Sequence, residues 1–281
     1  MKQQEDWSQA EKFFSRSWTH IFYFWKLRQV MLAKTVKTLL KQRQAYEETR
    51  VVDLGCGPGT NLFDVYDVCA DFKRVQWFGL DLNQREVAMG AGRSRYRVQE
   101  RKMQALHFMA GDIFKLPFAD NSVDILISSE VVEHLPDPRP AIAEMQRVLK
   151  PNGYAMVTTP NPRNLPEMLG YALDKLTCGA FKKFYWKGQD EVSAPPLDAE
   201  VGFGHVSVHP FPVWRDWFEQ AGMPVVKKVR GPLVFGSPFF DRQRFLMGML
   251  IMLDPILDRL PFRFLTTTNL GMLCRKSSSL E

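Results

Sequence analysis

Cysteine is scarce in this chain: four residues in 281, at positions 56, 69, 178 and 274. They form no CxxC pair and no evenly spaced framework, which argues against a disulfide scaffold and against a cysteine-built metal knuckle. Reduced thiols in a cytoplasmic protein are the simple expectation. Long apolar runs are also missing. The most apolar stretch, 245–253 (FLMGMLIML), is well short of the roughly 20 residues a bilayer-spanning helix needs. The opening MKQQEDWSQAEKFF has no apolar segment of the kind that marks a secretory leader, in keeping with a cytoplasmic location. There is no internal repeat and no low-complexity tract, so a solenoid or a linker-rich assembly is not indicated. Nor does either sign of charge dominate. The net charge of +6 leans mildly toward acidic partners or a membrane surface without establishing either. What remains, 45% hydrophobic and 24% charged, is the composition of a globular chain with a sizeable core. Its length allows one large domain or two small ones.

Glycine and proline are absent from 7–46, where apolar residues such as Phe14, Trp18, Ile21, Phe22 and Trp25 recur at helical spacing. One or two helices are expected there, as a cap over residues 1–48. Short β-rich runs then alternate with helical stretches: strands at 50–54, 75–80, 106–110, 123–128 and 154–159, and helices at 60–70, from 83 to about 103, and at 140–149. Asn83 is the expected N-cap of the second of these helices, and Pro151-Asn152-Gly153 an expected turn. This alternation implies βαβ units and a parallel sheet covered on both faces. A helix at 211–221 and strands at 225–230 and 269–275 complete the pattern. Two segments interrupt it, 161–204 and 232–268. The second contains an apolar helix around 244–257. Insertions of this length beyond a sheet edge suit a substrate lid.

The string VVDLGCGPGT, residues 51–60, carries most of the chemistry. Gly55, Gly57 and Gly59 permit a tight strand-to-helix turn and close approach of a ligand to the backbone. Asp53 precedes the turn, while Asp81 and Asp112 each close a later strand. Asp81 stands at about the distance where an acid meets a ribose hydroxyl in nucleotide-binding sheets. A site lined by acids is awkward for a pyrophosphate and better suited to a ligand that is cationic near its sugar. The glycine spacing also departs from GxGxxG, which argues against a dinucleotide. S-adenosylmethionine, with its sulfonium and its amino group, meets both conditions.

Taken together, VVDLGCGPGT, FGLDLN, GDIFKLPFADNSVDILISSEVVEHL and LKPNGYAMVTTPNPRN resemble the class I S-adenosylmethionine-dependent methyltransferases, over about residues 50–275. The nearest group is the broad one that holds the ubiquinone-pathway and many small-molecule methyltransferases. The resemblance implies an α/β fold with a seven-stranded, mostly parallel, Rossmann-like sheet whose last strand is antiparallel. Residues 49–160 would form the cofactor-binding core, 161–204 a lid, and 205–276 the end of the sheet. By the same match Gly55, Cys56, Gly57 and Gly59 would hold the methionyl part of the cofactor. Asp81 would bind the ribose, Asp112 and Ile113 would flank the adenine, and Asp53, Leu82 and Ser129 would complete the pocket.

The string SSEVVEHLPDP at 128–138 sets Glu130, Glu133 and His134 on one face of a turn just after the fourth strand. Such a group could be a metal site, an acid–base site or a polar cap. The Asn/Asp-Pro-Pro-aromatic string that the resemblance associates with methylation of nucleobase or amide nitrogens is absent here. EVVEHL instead resembles the corresponding segment of quinone-pathway O-methyltransferases and of small-RNA 2′-O-methyltransferases. That match implies a divalent-metal set of Glu130, Glu133, His134 and, from GHVSVHPFPVWRDWF, His205. Without a metal, Glu130, His134 and His205 would be the acid–base candidates, and His209 would mark a helix entry. The expected acceptor is small and hydrophobic or aromatic, with oxygen favoured. RNA 2′-O-methylation and a non-catalytic cofactor- or lipid-binding regulator are the alternatives. Three further features are weighed against plainer readings. Arg93, Arg97 and Arg101, spaced like one face of a helix, are expected to be solvated rather than to bind nucleic acid. The aromatic-basic run 181–186 and the Met-rich helix around 244–257 are lid packing or contacts with an apolar acceptor or membrane surface.

Overall fold

The computed structural model describes residues 20–43, 48–163, 165–181, 204–230, 267 and 269–278. The chain begins with helix α1 (His20–Gln42), followed by β1 (Thr49–Leu54), α2 (Thr60–Cys69), β2 (Val75–Asp81), α3 (Gln84–Arg101) and β3 (His107–Ala110). Then come β4 (Val123–Ser129), a 3-10 turn (Val132–His134), α4 (Arg139–Val148) and β5 (Leu149–Pro160). The remaining elements are α5 (Leu165–Leu176), α6 (Phe211–Gln220), β6 (Val225–Arg230) and β7 (Asn269–Arg275). The expected elements at 1–19, 182–203 and 231–266, including the helix around 244–257 and all but Phe181 of the aromatic-basic run, lie outside the described residues.

All seven strands join one sheet in the order β3-β2-β1-β4-β5-β7-β6. The pairs β3-β2, β2-β1, β1-β4 and β4-β5 are parallel, and β7 runs antiparallel to both β5 and β6. The mostly parallel sheet and its antiparallel last strand are therefore as expected. From β1 the chain builds outward to β2 and β3, then returns to place β4 on the other side of β1. That reversal opens a crevice at the carboxyl ends of β1 and β4, the usual place for a ligand in open α/β sheets.

The period of two along the strands divides the core between the faces. Ile125 and Ile127 of β4, with Val51 of β1, Trp77 of β2 and Met156 of β5, pack against α1 and α2 through residues such as Leu32, Val36, Leu62 and Phe63. Leu126, Val52, Leu54 and Val157 face the other way, onto Ile142 and Met145 of α4 and Trp214 and Phe218 of α6. Every residue of β4 is buried, as a central parallel strand requires.

Two local expectations are corrected. Pro151-Asn152-Gly153 does not separate a helix from a strand but lies inside β5. Pairing with β4 holds on both sides of it, Val123 with Leu149 and Ile125 with Tyr154, and the register shifts between them. Asn152 takes a left-handed conformation (φ 63) and its N–H donates to the Lys276 carbonyl, so the turn survives as a bulge. The arginine stripe of α3 is solvated only at Arg101, which is exposed as expected. Arg93 and Arg97 are only 2% and 6% exposed. Both guanidinium groups lie over the Phe63 ring, at 4.5 and 4.7 Å from its centroid. Arg97 also holds Asp67 through two hydrogen bonds of 3.0 and 3.2 Å, and Arg93 donates to the Pro58 carbonyl at 2.7 Å. Docking of α3 against α2 buries these two arginines. Asn83 caps α3 as expected, its side chain accepting from the Arg85 N–H at 3.0 Å.

Candidate active site

Leu54 ends β1 and the chain turns at once through Gly55, Gly57 and Gly59, all with positive φ, before α2 begins. Two of these glycines show what the turn requires. At Gly55 (φ 64) a Cβ would run into the side chain of Val131, which comes from beyond β4. At Gly57 (φ 51) a Cβ would find open space, with the Glu86 Oε2 atom, 3.9 Å away, its one neighbour within 4 Å. One glycine admits a neighbouring side chain, and the other leaves backbone exposed to a ligand.

Carboxylates surround this open backbone. Asp81 accepts the Gly57 N–H on one oxygen and the Asn83 N–H on the other, both at 2.8 Å. Asp53 is 1% exposed, and neither of its oxygens has a hydrogen-bond partner among the described residues. Burial, with the Asp81 charge second, pushes its carboxyl up to about 8. Glu86 is raised for the same two reasons, and the buried Cys56 thiol is driven far up by burial and then by Asp53 and Asp81. Glu86 was not expected in the site. Its position three residues after the N-cap Asn83 was the available signal, since such an acid turns back toward the helix start. Arg93 holds the turn from behind through the Pro58 carbonyl.

The neighbouring strand ends supply the remaining expected cofactor residues. The Gly111 N–H donates to the Asp81 carbonyl at 3.0 Å, which sets Asp112 and Ile113 beside the end of β2. Asp112 is exposed and accepts the Phe114 N–H at 2.9 Å, while Ile113 packs on the core. Leu82 is 67% exposed, an apolar side chain open to solvent at the rim of the acid-lined turn. Ser129 is buried, its hydroxyl 3.0 Å from that of Thr158.

At the exit of β4 the four residues of the metal expectation separate into three and one. Glu133, His134 and His205 each present a ligand-type atom within 4.8 Å of the others. Glu133 is fully buried and both its oxygens lack a hydrogen-bond partner among the described residues. Burial first, and then the Glu130 charge, raise its carboxyl to about 8. The loop that carries His205 is pinned here because the Val206 and Ser207 N–H groups both donate to the Glu133 carbonyl at 2.9 Å. The two imidazoles lie 5.0 Å apart, tilted by 56°. Glu130, close enough to raise Glu133, is not one of these three and is engaged by other partners. Its Oε1 accepts from the Thr158 hydroxyl at 2.9 Å, and its Oε2 accepts from Asn269 at 2.7 Å and faces Arg28 at 3.5 Å. Glu130 itself has φ 57, a conformation that costs a non-glycine residue about 1 kcal/mol. His209 stands against Trp214 and Trp217 at the start of α6, which fits its expected place at a helix entry.

The profile of a family described as methyltransferase domain matches residues 46–191, from just before the glycine turn to beyond β5. The chain belongs to this family. An uncharacterized methyltransferase of Schizosaccharomyces pombe is 35% identical over 111 residues, 37% of each chain. A demethylmenaquinone methyltransferase of Bacillus pumilus is 25% identical over 63% of this chain and 79% of its own. A Mycolicibacterium smegmatis protein named "Probable S-adenosylmethionine-dependent methyltransferase" is 38% identical over 40% of this methyltransferase-family chain and 38% of its own. The chain spans about two fifths of the length of the first relatives it matches. Among solved structures, the DszA carbon methyltransferase superposes with a TM-score of 0.55 at 13% identity, over 90% of this chain and 54% of that one. The [4+2]-cyclase SpnF does so at 0.52 and 16%, over 87% and 82%. These two likenesses concern the fold alone. Among the described residues no helix is long and apolar enough to cross a membrane.

Proposed function

We propose that the protein transfers the methyl group of S-adenosylmethionine to a small, hydrophobic or aromatic acceptor, with oxygen the favoured methyl-accepting atom. The observation that carries this reading is the unpartnered Asp53 carboxyl buried behind the glycine turn. Protonated at neutral pH and set beside Asp81 and Glu86, it can give up its proton to a bound cation, which favours an ammonium and a sulfonium and disfavours a pyrophosphate. Gly57 leaves room for the ligand at that point. Each Asp81 oxygen accepts one backbone N–H and keeps capacity for a ribose hydroxyl. Leu82 and Ile113 offer apolar surface for an adenine. Bound there, S-adenosylmethionine would supply an electrophilic methyl group on a cationic sulfur.

The residues of this chain would contribute alignment and proton acceptance. An acceptor hydroxyl over the carboxyl end of β4 would meet the group of Glu133, His134 and His205. In an in-line displacement the oxygen–carbon bond would form as the carbon–sulfur bond broke with its electron pair left on sulfur, and the hydroxyl proton would pass to His134 or His205. Buried Glu133, raised to about 8 and so protonated at neutral pH, would stabilise the resulting imidazolium on losing its proton, a loss that the new positive charge favours. The same three residues form a mixed carboxylate–imidazole set that suits a divalent ion such as Mn²⁺, Fe²⁺ or Zn²⁺. Such an ion would lower the pKa of the acceptor hydroxyl. An apolar acceptor is supported by relatives named demethylmenaquinone methyltransferase and sterol 24-C-methyltransferase, the latter from Gibberella zeae and Aspergillus fumigatus.

The test is transfer of labelled methyl from S-adenosylmethionine into a cell lysate, counted separately in organic-extractable and RNA fractions. Label in the organic fraction is expected, with a loss of about 10²-fold in Glu133→Gln, His134→Ala and His205→Ala. In all three, affinity for S-adenosylhomocysteine should be retained. Label confined to RNA would replace the small acceptor by an RNA 2′-hydroxyl. Unchanged transfer in all three variants would remove the assigned roles.

A further inference from the structure

The carboxylate of Glu130 is taken up by three side chains from three elements: Thr158 of β5, Asn269 of β7 and Arg28 of α1. Its backbone N–H donates to the Thr158 carbonyl at 3.0 Å, so main chain and side chain are anchored to the same residue. The left-handed conformation at Glu130 is what delivers the next residue, Val131, into the space beside Gly55 that a side chain there would otherwise fill. Arg28 and the carboxylate it faces are both largely shielded, with side-chain exposures of 9% and 18%. Screening by salt is weak in such a place, and a charge removed from one partner is felt by the other. Asn269 stands 139 residues along the chain from Glu130, and Arg28 precedes the whole sheet, so only the folded arrangement brings them together.

We infer that Glu130 is a positioning residue. With Arg28, Thr158 and Asn269 it clamps the β4 exit turn against the cofactor turn, and helix α1 thereby becomes a working part of the site. Glu130 then acts through Val131 on Gly55 rather than by ligating a metal or taking a proton. The same anchor sets the start of the 3-10 turn that carries Glu133 and His134. The inference rests on the proposal that the glycine turn binds the cofactor, and it names which residues outside the pocket set that turn's shape.

Titration with S-adenosylhomocysteine at 15 °C tests it, using the full chain, Arg28→Met, Arg28→Lys, Glu130→Gln and the Arg28→Met/Glu130→Gln pair. Arg28→Met and Glu130→Gln are each expected to weaken binding about tenfold, with the pair no weaker than the worse single variant, because both break one clamp. Arg28→Lys keeps the charge without the fork and should recover part of the loss. Binding of Mn²⁺ or Zn²⁺ to Glu130→Gln should match that of the parent. A purely structural role would lower the melting temperature and leave affinity at 15 °C unchanged in every variant, which overturns the inference. Parent-like affinity in Glu130→Gln with loss of metal binding also overturns it, in favour of a ligand role. Should Arg28→Met fail to fold, Arg28→Lys alone decides, since a clamp predicts a smaller shift of the same sign. Failure of the parent chain to bind S-adenosylhomocysteine would instead refute the cofactor assignment.

Discussion

Replacing Asp53 by Asn should flatten the pH dependence of the cofactor-free protein's stability. In the folded chain the Asp53 carboxyl is raised from 3.8 to about 8, by burial and by the Asp81 charge. The folded state therefore holds this proton more tightly than the unfolded chain does. That contribution is complete below pH 3.8 and is lost as the pH rises through the folded value near 8. Within the window each pH unit removes on the order of 1 kcal/mol per such group, so the step from pH 5 to pH 7 removes roughly 3 kcal/mol. For a chain of this size that corresponds to a fall of roughly 5–10 °C in melting temperature. Glu133, also raised to about 8, acts in the same direction and over the same window. Thermal melts at half-unit intervals from pH 5 to 8 should give a slope that Asp53→Asn roughly halves and Asp53→Asn/Glu133→Gln reduces to the remainder set by groups such as Glu86. Calorimetry in buffers of different ionisation enthalpy supplies a second readout. If the ammonium of S-adenosylhomocysteine meets Asp53, binding at pH 7 should release most of one proton in the parent chain and almost none in Asp53→Asn. Identical slopes in parent and Asp53→Asn, or binding without proton release, would refute the account of a buried acid kept for a cation.

The glycine turn offers two further tests. Arg93→Met leaves the Pro58 carbonyl without its 2.7 Å donor and removes a cation from the Phe63 ring. Urea unfolding should show a loss of about 2–3 kcal/mol, and titration should show weaker S-adenosylhomocysteine binding; a solvated arginine would cost almost nothing. Gly55→Ala places a methyl group against Val131 at a positive φ, at a cost of about 1–3 kcal/mol. Adding Val131→Ala should restore only the steric part of that loss, and no restoration would show that the contact between the two turns is unimportant.

The parts of this protein that were legible along the chain are those set by neighbours in sequence. The run VVDLGCGPGT specifies a strand, a turn that needs positive φ, and a helix start, because each choice depends on residues only a few positions apart. Asn83 as an N-cap is of the same kind, as is the burial of VDILISS on both faces. The arginines of α3 show where this stops. Their spacing describes a helix face correctly, but whether that face meets water depends on Phe63 and Pro58, supplied by another element. Glu130, Glu133 and His134 likewise read as one group on one turn. Folding divides them in part, because the left-handed backbone at Glu130 and donors from α1, β5 and β7 engage its carboxylate and leave it out of the set that Glu133 forms with the imidazoles, though close enough to raise Glu133. The chain order also conceals that β7 lies between β5 and β6, and so brings Asn269 to the end of β4. Short-range sterics and hydrogen bonding choose the elements, whereas burial and charge at the site depend on which distant side chains complete each environment, and only packing in three dimensions sets that.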